Sequence, residues 1–286
     1  MSQQRIELKM PDANNVGPSV TAIFKMPIGL KFHELQFPIS GTAPVLTDIS
    51  EIRVKLNSKI VMRFSATELD QMNQFDGRAA WHATNSPALI LPFDRYKLEN
   101  SIADAETAVD TGQIGDGAPA GARRISAFTV EMVLTSGFPA DGDIKCYATQ
   151  SASDNIGAGT VRHIYKDNRY LSGSGEFQIA DMPYGGETTI ALNRTFFIPS
   201  ANNLTDMKVK RDNIDVFERT AALNEQVQTD GIRTPVSGVY GIDRTERGIA
   251  GNRLSLVGVR DFRYVLTTDG AMTVTILSDY MGNLGD

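Results

Sequence analysis

The chain contains 286 residues, enough for one large domain or for two domains that each bury a core of their own. Its formal net charge is −6 and its lysines and arginines are scattered, so the charge pattern does not predict direct, sequence-specific binding to nucleic acid. A single cysteine excludes an internal disulfide framework and a thiolate metal cluster, and the longest apolar runs are too short to span a membrane.

The N-terminal segment, residues 1–15, is polar and shows no periodicity. It begins MSQQRIELKM and lacks the apolar run of a secretory signal, so we expect a soluble protein that is not exported. We predict that residues 1–15 form an arm that becomes ordered only in an assembled particle.

Residues 16–155 are predicted to form mostly β-strands. Short segments rich in Val, Ile, Phe and Thr alternate there with Gly, Pro, Asn and Asp. The predicted strands are Val20–Lys25, Phe32–Phe37, Glu51–Leu56, Ile60–Phe64, Ala88–Leu91, Phe128–Leu134 and Ile144–Gln150. Cys146 lies in the last of these, which predicts a buried and unreactive thiol.

One helix is predicted in this half of the chain. Ser65 and Glu68 form the sequence pattern of a capping box, and Leu69, Met72 and Phe75 follow at helical spacing.

The segment 103–121 is rich in Ala and Gly and has no aromatic residue, which predicts a long exposed loop that contacts other subunits. Its end, Gly115–Gly121, lacks the Lys-Ser or Lys-Thr of a phosphate-binding loop. We therefore expect a flexible loop there.

The composition of Ser151–Gly159 is typical of a linker, so we place a boundary near residue 155. Residues 156–286 again read as strands, with a second helix that starts at Thr220 and runs through Leu223 and Val227. The predicted strands are Gly175–Ile179, Thr188–Phe197, Met207–Arg211, Ile214–Phe217, Leu254–Gly258, Phe262–Thr267 and Ala271–Ser278.

The two halves share an internal repeat. Met26-Pro27-Ile28-Gly29 recurs as Met182-Pro183-Tyr184-Gly185, and Ile52-Arg53-Val54-Lys55 recurs as Met207-Lys208-Val209-Lys210, in both cases about 155 residues later. A turn follows the second motif in each half, at Asn57-Ser58 and at Asp212-Asn213. The repeat predicts an all-β chain of two tandem eight-stranded jelly rolls, residues 16–155 and 156–286, with short inserted helices.

These residues also resemble a known family. Lys25–Gly29, Ile52–Asn57 and Leu69–Asn73 in the first half, with Phe177–Pro183 and Asp279–Gly282 in the second, are similar to the major capsid proteins of corticoviruses. The resemblance covers most of the chain, but segment 103–121 and residues 230–252 have no counterpart.

The resemblance implies a structural protein of a tailless icosahedral bacteriophage and not an enzyme. It implies homotrimers with a pseudo-hexagonal base that assemble into a shell with penton and minor capsid proteins, close to an internal viral membrane. It also implies synthesis in the host cytoplasm, location in the virion, and a possible structural Ca²⁺ with unknown ligands.

We considered other chemistry and found little support for it. His33, His82 and His163 are too far apart in the sequence for a histidine-pair metal site, and no Gly-x-Ser-x-Gly motif occurs, although a Ser-His-Asp triad cannot be judged from sequence spacing. We therefore assign no catalytic, cofactor-binding or metal-binding residues. Asp141 and Asp143 are more typical of a hairpin turn than of a Ca²⁺ site.

Several further motifs are predicted to be structural. The sequons at Asn193 and Asn203 are expected to be turn or strand residues in a chain that is not exported. The basic groups Arg123-Arg124, Arg244 and Arg247 would meet neighbouring capsomers or lipid headgroups, although a solvated surface is the commoner outcome.

The main alternative function is a carbohydrate- or receptor-binding β-sandwich module, for example a virion spike protein. Sugar sites present exposed aromatic side chains, and the chain has only one tryptophan, Trp81, with no cluster of tyrosines in a predicted loop. A two-barrel cupin enzyme is a third possibility, which the missing histidine pairs disfavour.

Overall fold

The computed structural model describes residues 4–95, 97–116 and 123–285. Over these ranges the chain is mostly β-sheet, as the sequence predicts, with three short α-helices. None of these helices is long and apolar enough to cross a membrane.

The strands of the first half run as follows. They are β1 (Ile6–Lys9), β2 (Thr21–Met26), β3 (Leu30–Ser40), β4 (Ile49–Leu56), β5 (Lys59–Phe64), β6 (Ala88–Pro92), β7 (Val109–Asp110), β8 (Phe128–Leu134), β9 (Asp143–Ile144) and β10 (Tyr147–Ala152). Helix α1 (Ala66–Phe75) follows β5, and the single turn α2 (Ser101–Asp104) follows β6.

The second half repeats this order. Its strands are β11 (Val161–Leu171), β12 (Gly175–Ile179), β13 (Ala191–Pro199), β14 (Leu204–Arg211), β15 (Ile214–Thr220), β16 (Tyr240–Asp243), β17 (Leu254–Ser255), β18 (Phe262–Thr268) and β19 (Met272–Gly282). Helix α3 (Ala221–Gln228) follows β15, in the place that α1 has after β5.

Each half forms a sandwich of two sheets with four main strands each; the short strands β7 and β9 also pair with β3, and β17 pairs with β13. In the first roll, β1-β10-β3-β6 pack against β2-β8-β4-β5, and in the second roll β11-β19-β13-β16 pack against β12-β18-β14-β15. The pairing order is the same in both, and each sheet contributes one apolar face to the core of its roll. The predicted double jelly roll is therefore confirmed.

Two details fix the residue correspondence between the rolls. In β3, His33 is left unpaired between the pairs Glu34–Thr149 and Phe32–Gln150. In β13, Asn193 is left unpaired between the pairs Arg194–Asp279 and Leu192–Tyr280. Because a β-bulge sets the register of a strand pair, Glu34 corresponds to Arg194, and Gln36 to Phe196.

The predicted local signals hold in both rolls. Ser65 Oγ accepts a hydrogen bond from Glu68 N at 3.2 Å and Glu68 Oε2 accepts one from Ser65 N at 2.7 Å, which is the predicted capping box. Leu69, Met72 and Phe75 are buried beneath α1. Helix α3 begins after Thr220 as predicted, and Thr220 Oγ1 accepts from Leu223 N at 3.1 Å.

The sandwiches are joined along one edge. The only strand pairing between them in the described ranges is a parallel bridge, Ile164 of β11 to Met62 of β5, which links the sheets β16-β13-β19-β11 and β5-β4-β8-β2. The first-roll core accordingly continues across this edge and includes Ile164, Phe196 and Leu277 of the second half.

Several segments differ from expectation. Residues 6–9 of the predicted arm form β1, which pairs with β10 in a single chain, so the expectation that the arm orders only on assembly is wrong for these residues. The segment 103–121 is not simply an exposed loop: Thr107, Val109 and Asp110 are buried, while residues 117–121 lie outside the described ranges. Strands β11 and β16 were not predicted at all.

Candidate functional site

The three histidines lie in unrelated places. His82 accepts hydrogen bonds from the backbone of Thr84 and Asn85 in a surface loop, and buried His163 lies 2.8 Å from the carbonyl oxygen of Asn283 through Nε2. Within residues 4–95, 97–116 and 123–285, no group of three or more His, Cys, Asp or Glu side chains could hold a metal ion.

His33 takes part in an arrangement that sequence spacing could not reveal. Its Nδ1 atom lies 2.9 Å from Asp94 Oδ1, and its Nε2 atom lies 2.8 Å from Ser151 Oγ. Asp94 lies 61 positions and Ser151 lies 118 positions after His33 in the chain, so only the fold brings the three residues together. The connectivity is that of a Ser-His-Asp triad.

The serine of this arrangement is not presented to a substrate. Ser151 is 1% exposed, and the open cleft of about 320 Å³ beside it is lined by His33 and Asp94 but not by Ser151. A nucleophile has to reach the reacting carbon directly, whereas Ser151 lies within the sheet. The hydrogen bonds instead join β3, β10 and the segment after β6, where they satisfy the buried His33 and Ser151 and the partly buried Asp94.

The carboxylates of Asp141 and Asp143 already bind donor groups of the same chain. Asp141 accepts hydrogen bonds from the backbone nitrogen and hydroxyl of Thr42, which hold the pKa of Asp141 below its usual value. Asp143 pairs with Lys145 at 2.8 Å. The two carboxylates therefore stabilise a turn, but not the predicted hairpin, because the chain passes here from β8 of one sheet to β9, which pairs with β3 of the other.

The remaining sequence candidates are structural or lie at the surface. Asn193 is buried within β13 and Asn203 directly precedes β14, so both sequons belong to strand or turn residues. Arg123 and Arg124 are exposed. Arg244 donates to the carbonyl oxygen of Val216 at 3.1 Å, and burial lowers its pKa.

The most distinctive polar cluster lies between the two rolls, and we call it the inter-roll junction. Arg162 of β11 and Arg194 of β13 both bind Asp279 of β19, with nitrogen–oxygen distances of 2.9 and 3.1 Å. Arg194 also binds Asp76 at the end of α1, at 2.5 and 3.1 Å. All four side chains are nearly inaccessible to solvent.

The charges of the junction stabilise one another in their ionised forms. Burial alone would raise the pKa of Asp279, but the neighbouring Arg162 and Arg194 lower it below the usual value. Burial would likewise lower the pKa of Arg194, and Asp76 and Asp279 raise it instead. Because a buried ion pair is costly to break, the junction holds α1 of the first roll against the sheet of the second.

An apolar contact continues the junction. The rings of Phe75 in α1 and Phe196 in β13 meet edge to face, with centroids 5.1 Å apart. Gly241 of β16 lies beneath both rings, and a Cβ atom there would be 3.1 Å from Phe75 and 3.3 Å from Phe196. Glycine thus allows the helix to approach the sheet closely.

Two partly buried ion pairs flank the junction. Lys166 of β11 binds Glu68 at the start of α1 at 2.7 Å, and Arg253 binds Glu106 at 2.8 Å across the rolls. The pairs Glu68–Lys166 and Asp76–Arg194 bind both ends of α1 to the second roll, and Glu106–Arg253 joins the two rolls elsewhere. A rigid pair of lobes of this kind is suited to assembly.

Comparisons with known proteins agree with this architecture. Residues 7–151 match the family described as "Viral coat protein P2 N-terminal domain", and residues 161–284 match "Viral coat protein P2 C-terminal domain". No match was found among curated proteins.

Solved structures share the fold over nearly the whole chain. The major capsid protein P2 from Bacteriophage PM2 is 15% identical with a TM-score of 0.81, and the alignment covers 98% of this chain and 97% of that one. The structure of Sulfolobus Turreted Icosahedral Virus gives 12% identity and a TM-score of 0.67, with coverage of 98% and 91%. The PBCV-1 virus capsid gives 9% identity and 0.61, with coverage of 97% and 93%.

The two family matches together span most of the chain, and their boundaries follow the two rolls. The chain therefore belongs to the viral coat protein P2 family and is a double jelly-roll major capsid protein.

Proposed function

We propose that three copies of the chain associate into a ring of six lobes with a pseudo-hexagonal base, which then tiles an icosahedral shell. The observation that carries this proposal is the duplication: two rolls with the same strand order are held rigidly together by the inter-roll junction. Two similar lobes per chain and three chains per ring give near-sixfold packing with closed symmetry.

Negative-stain electron microscopy of the purified protein, classified without imposed symmetry, tests this proposal together with the native mass. We expect a particle of about three times 31.2 kDa with a six-lobed outline. An elongated particle, or an oligomer with a single lobe, would contradict the trimer. The family match favours this function over the binding-module alternative.

We further propose that the boundary between the rolls lies near residue 155, and that the shell assembles in the host cytoplasm around an internal membrane with penton and minor capsid proteins. The exposed Arg123 and Arg124 supply positive charge that suits anionic headgroups. Flotation of the trimer with anionic vesicles, compared with an Arg123→Glu/Arg124→Glu variant, tests the membrane contact. Equal flotation of both proteins would show that Arg123 and Arg124 do not contribute to membrane binding.

Calcium, if it is part of the shell, is proposed to bind between subunits. The carboxylates at Asp141 and Asp143 already have protein partners within one chain, and Ca²⁺ takes six to eight oxygen ligands. Chelation should then dissociate assembled shells but leave the thermal unfolding of isolated subunits unchanged. Unfolding of the subunit on chelation would place the ion within a chain.

We also propose that the protein has no catalytic role. Support comes from the burial of Ser151, which does not line the cleft beside His33 and Asp94. A fluorophosphonate probe, which labels activated serines, should leave the folded protein unmodified. Labelling of Ser151 in the native protein would contradict this proposal.

A further inference from the structure

Helix α3 has its apolar and polar sides reversed relative to most surface helices. Leu223 and Val227 are 47% and 41% exposed, whereas Asn224 and Gln228 are buried and both donate hydrogen bonds to the carbonyl oxygen of Gly241. A surface helix normally turns its apolar stripe inward. The outward apolar pair therefore indicates a surface that another molecule covers.

Helix α1 shows what covers the corresponding face in the first roll. The two helices align by their N-caps, Ser65 and Thr220, and by a shared anchor: Asn73 donates to Ile90 O at 2.8 Å in β6, as Gln228 donates to Gly241 O at 2.6 Å in β16. This alignment matches Glu68 with Leu223 and Met72 with Val227.

Of the two matched positions of α1, one binds the second roll of the same chain and the other is buried in the apolar cluster that also contains Phe196 and Leu277 of that roll. Glu68 binds Lys166 of β11 at 2.7 Å, and Met72 is buried. Beneath the end of α1, Phe196 pairs across the sheet with Leu277, and both are buried. This pair is the apolar part of the surface that receives α1.

The first roll carries the counterpart of that surface, and it is open. By the shared bulge, Phe196 and Leu277 correspond to Gln36 and Tyr147, which pair with each other across β3 and β10. Tyr147 is 39% exposed, and Gln36 lines the open cleft of about 320 Å³ on the outer face of this sheet.

We propose that Leu223 and Val227 of α3 pack against the outer face of the β1-β10-β3-β6 sheet of a second copy of this chain, around Tyr147. The contact repeats between chains the packing that α1 makes within one chain, and it deepens the proposed trimer, on which it rests. In a ring of alternating rolls, each second roll meets the first roll of the next copy.

The test replaces the two apolar residues with charges. A Leu223→Lys/Val227→Lys variant has a residue of high helix propensity at both positions but cannot bury its ammonium groups in the contact. We expect the concentration at which trimers dissociate, measured by sedimentation equilibrium, to rise at least about tenfold. The unfolding temperature of the monomer should stay the same, because both side chains are exposed there.

The matched control adds the same charge elsewhere on the second roll. Ile214→Lys/Val257→Lys changes two residues that are 66% and 67% exposed and lie outside the proposed contact. We expect its dissociation concentration to stay near that of the unmodified chain. Equal effects of the two variants, or a trimer indifferent to the α3 changes, would overturn the contact while leaving the trimer intact.

A double-mutant cycle tests the partner side. Val227→Ala and Tyr147→Ala should each weaken the trimer, and the combined variant should weaken it by less than the product of the two, because the residues touch across the interface. A combined effect equal to the product would show that the residues do not meet. An unmodified chain that stays monomeric at every concentration would instead contradict the proposed trimer itself.

Discussion

Strands β3 and β13 occupy the same place in the two rolls but differ in burial. In β3, buried and partly exposed residues alternate over most of the strand, whereas the first seven residues of β13 are all buried. The difference arises because α1 covers the outer face of β13, whereas no helix or strand in the described part of the chain covers β3 in this way. Glu34 and Gln36 accordingly stand in β3 where Arg194 and Phe196 stand in β13.

The comparison shows that two copies of one fold have diverged according to what covers each face. The strand pairing and the interior positions are kept, because each roll needs its own core. The residues on the outer face of the sheet differ instead, because they depend on what packs against that face. Substitutions at corresponding positions should therefore have very different effects.

The largest effect is expected at Arg194. Arg194→Ala leaves Asp76 and Asp279 buried without their common partner, and loss of one member of a buried ion pair costs about 3–5 kcal/mol. The free energy of unfolding from denaturant titration measures this loss. The control is Glu34→Ala at the corresponding position, where a partly exposed pair with Arg78 contributes at most about 1 kcal/mol. Similar losses in both variants would refute the distinction between the faces.

A smaller effect is expected at Gly241. Gly241→Ala places a methyl group 3.1 Å from the Phe75 ring, and overpacking of this kind costs about 1–3 kcal/mol. Gly251→Ala is the control, because a Cβ atom there meets nothing within 4 Å. Thermal unfolding of both variants measures the difference. No destabilisation by Gly241→Ala would mean that α1 can move away from β16 at little cost.

A pH-dependent effect on stability is expected at His163 of β11. The corresponding residue of β1 in the first roll is the exposed Ile6, which does not titrate. Burial lowers the pKa of His163, outweighing the Asn283 carbonyl and the charge of Asp279. Between this lowered pKa and the unfolded value of about 6.5 the unfolded chain binds more protons, so stability falls as the pH decreases through that window.

His163→Gln should make stability less dependent on pH in this window, because glutamine keeps a donor for Asn283 but does not titrate. Chemical denaturation at pH 7.5 and at pH 5.5 provides the measurement, with His82→Gln in the surface loop as the control. A slope that is the same in the His163 variant and the unmodified chain would assign the pH dependence to other groups.

The smallest effect, almost no labelling of the native protein, is expected at Cys146, which lies in the core of the first roll. Burial raises the pKa of its thiol to about 12, and the side chain is inaccessible to solvent. Since the thiolate is the reactive form, a thiol reagent at pH 8 should label the protein only after it unfolds. Rapid labelling of the native protein would show that the first roll opens locally.

The elements that the sequence predicts well are those whose signals are local. The turns at Asn57-Ser58 and Asp212-Asn213 have positive φ at all four residues, so the hairpins β4-β5 and β14-β15 recur about 155 residues apart. The capping box of α1 is local in the same sense. These signals made the duplication visible.

Strand β11 was missed because its charges have partners only in the folded chain. Arg162 and Lys166 break the apolar pattern, and they are paired with Asp279 and Glu68, which are distant in sequence. The hydrogen bonds of His33 with Ser151 were hidden for the same reason. Sequence reasoning therefore predicted the two rolls but not the contacts that join them.

The bridge between Ile164 and Met62 has a mechanical consequence. Because it makes one hydrogen-bonded sheet run through both lobes, bending the chain at their boundary would break main-chain hydrogen bonds and separate the buried charges beside them. We therefore expect the two lobes of a subunit to move as one rigid body when the shell is under mechanical stress. The curvature of a closed shell then has to come from changes of angle between capsomers, and a shell under internal pressure should fail along those seams before its subunits deform.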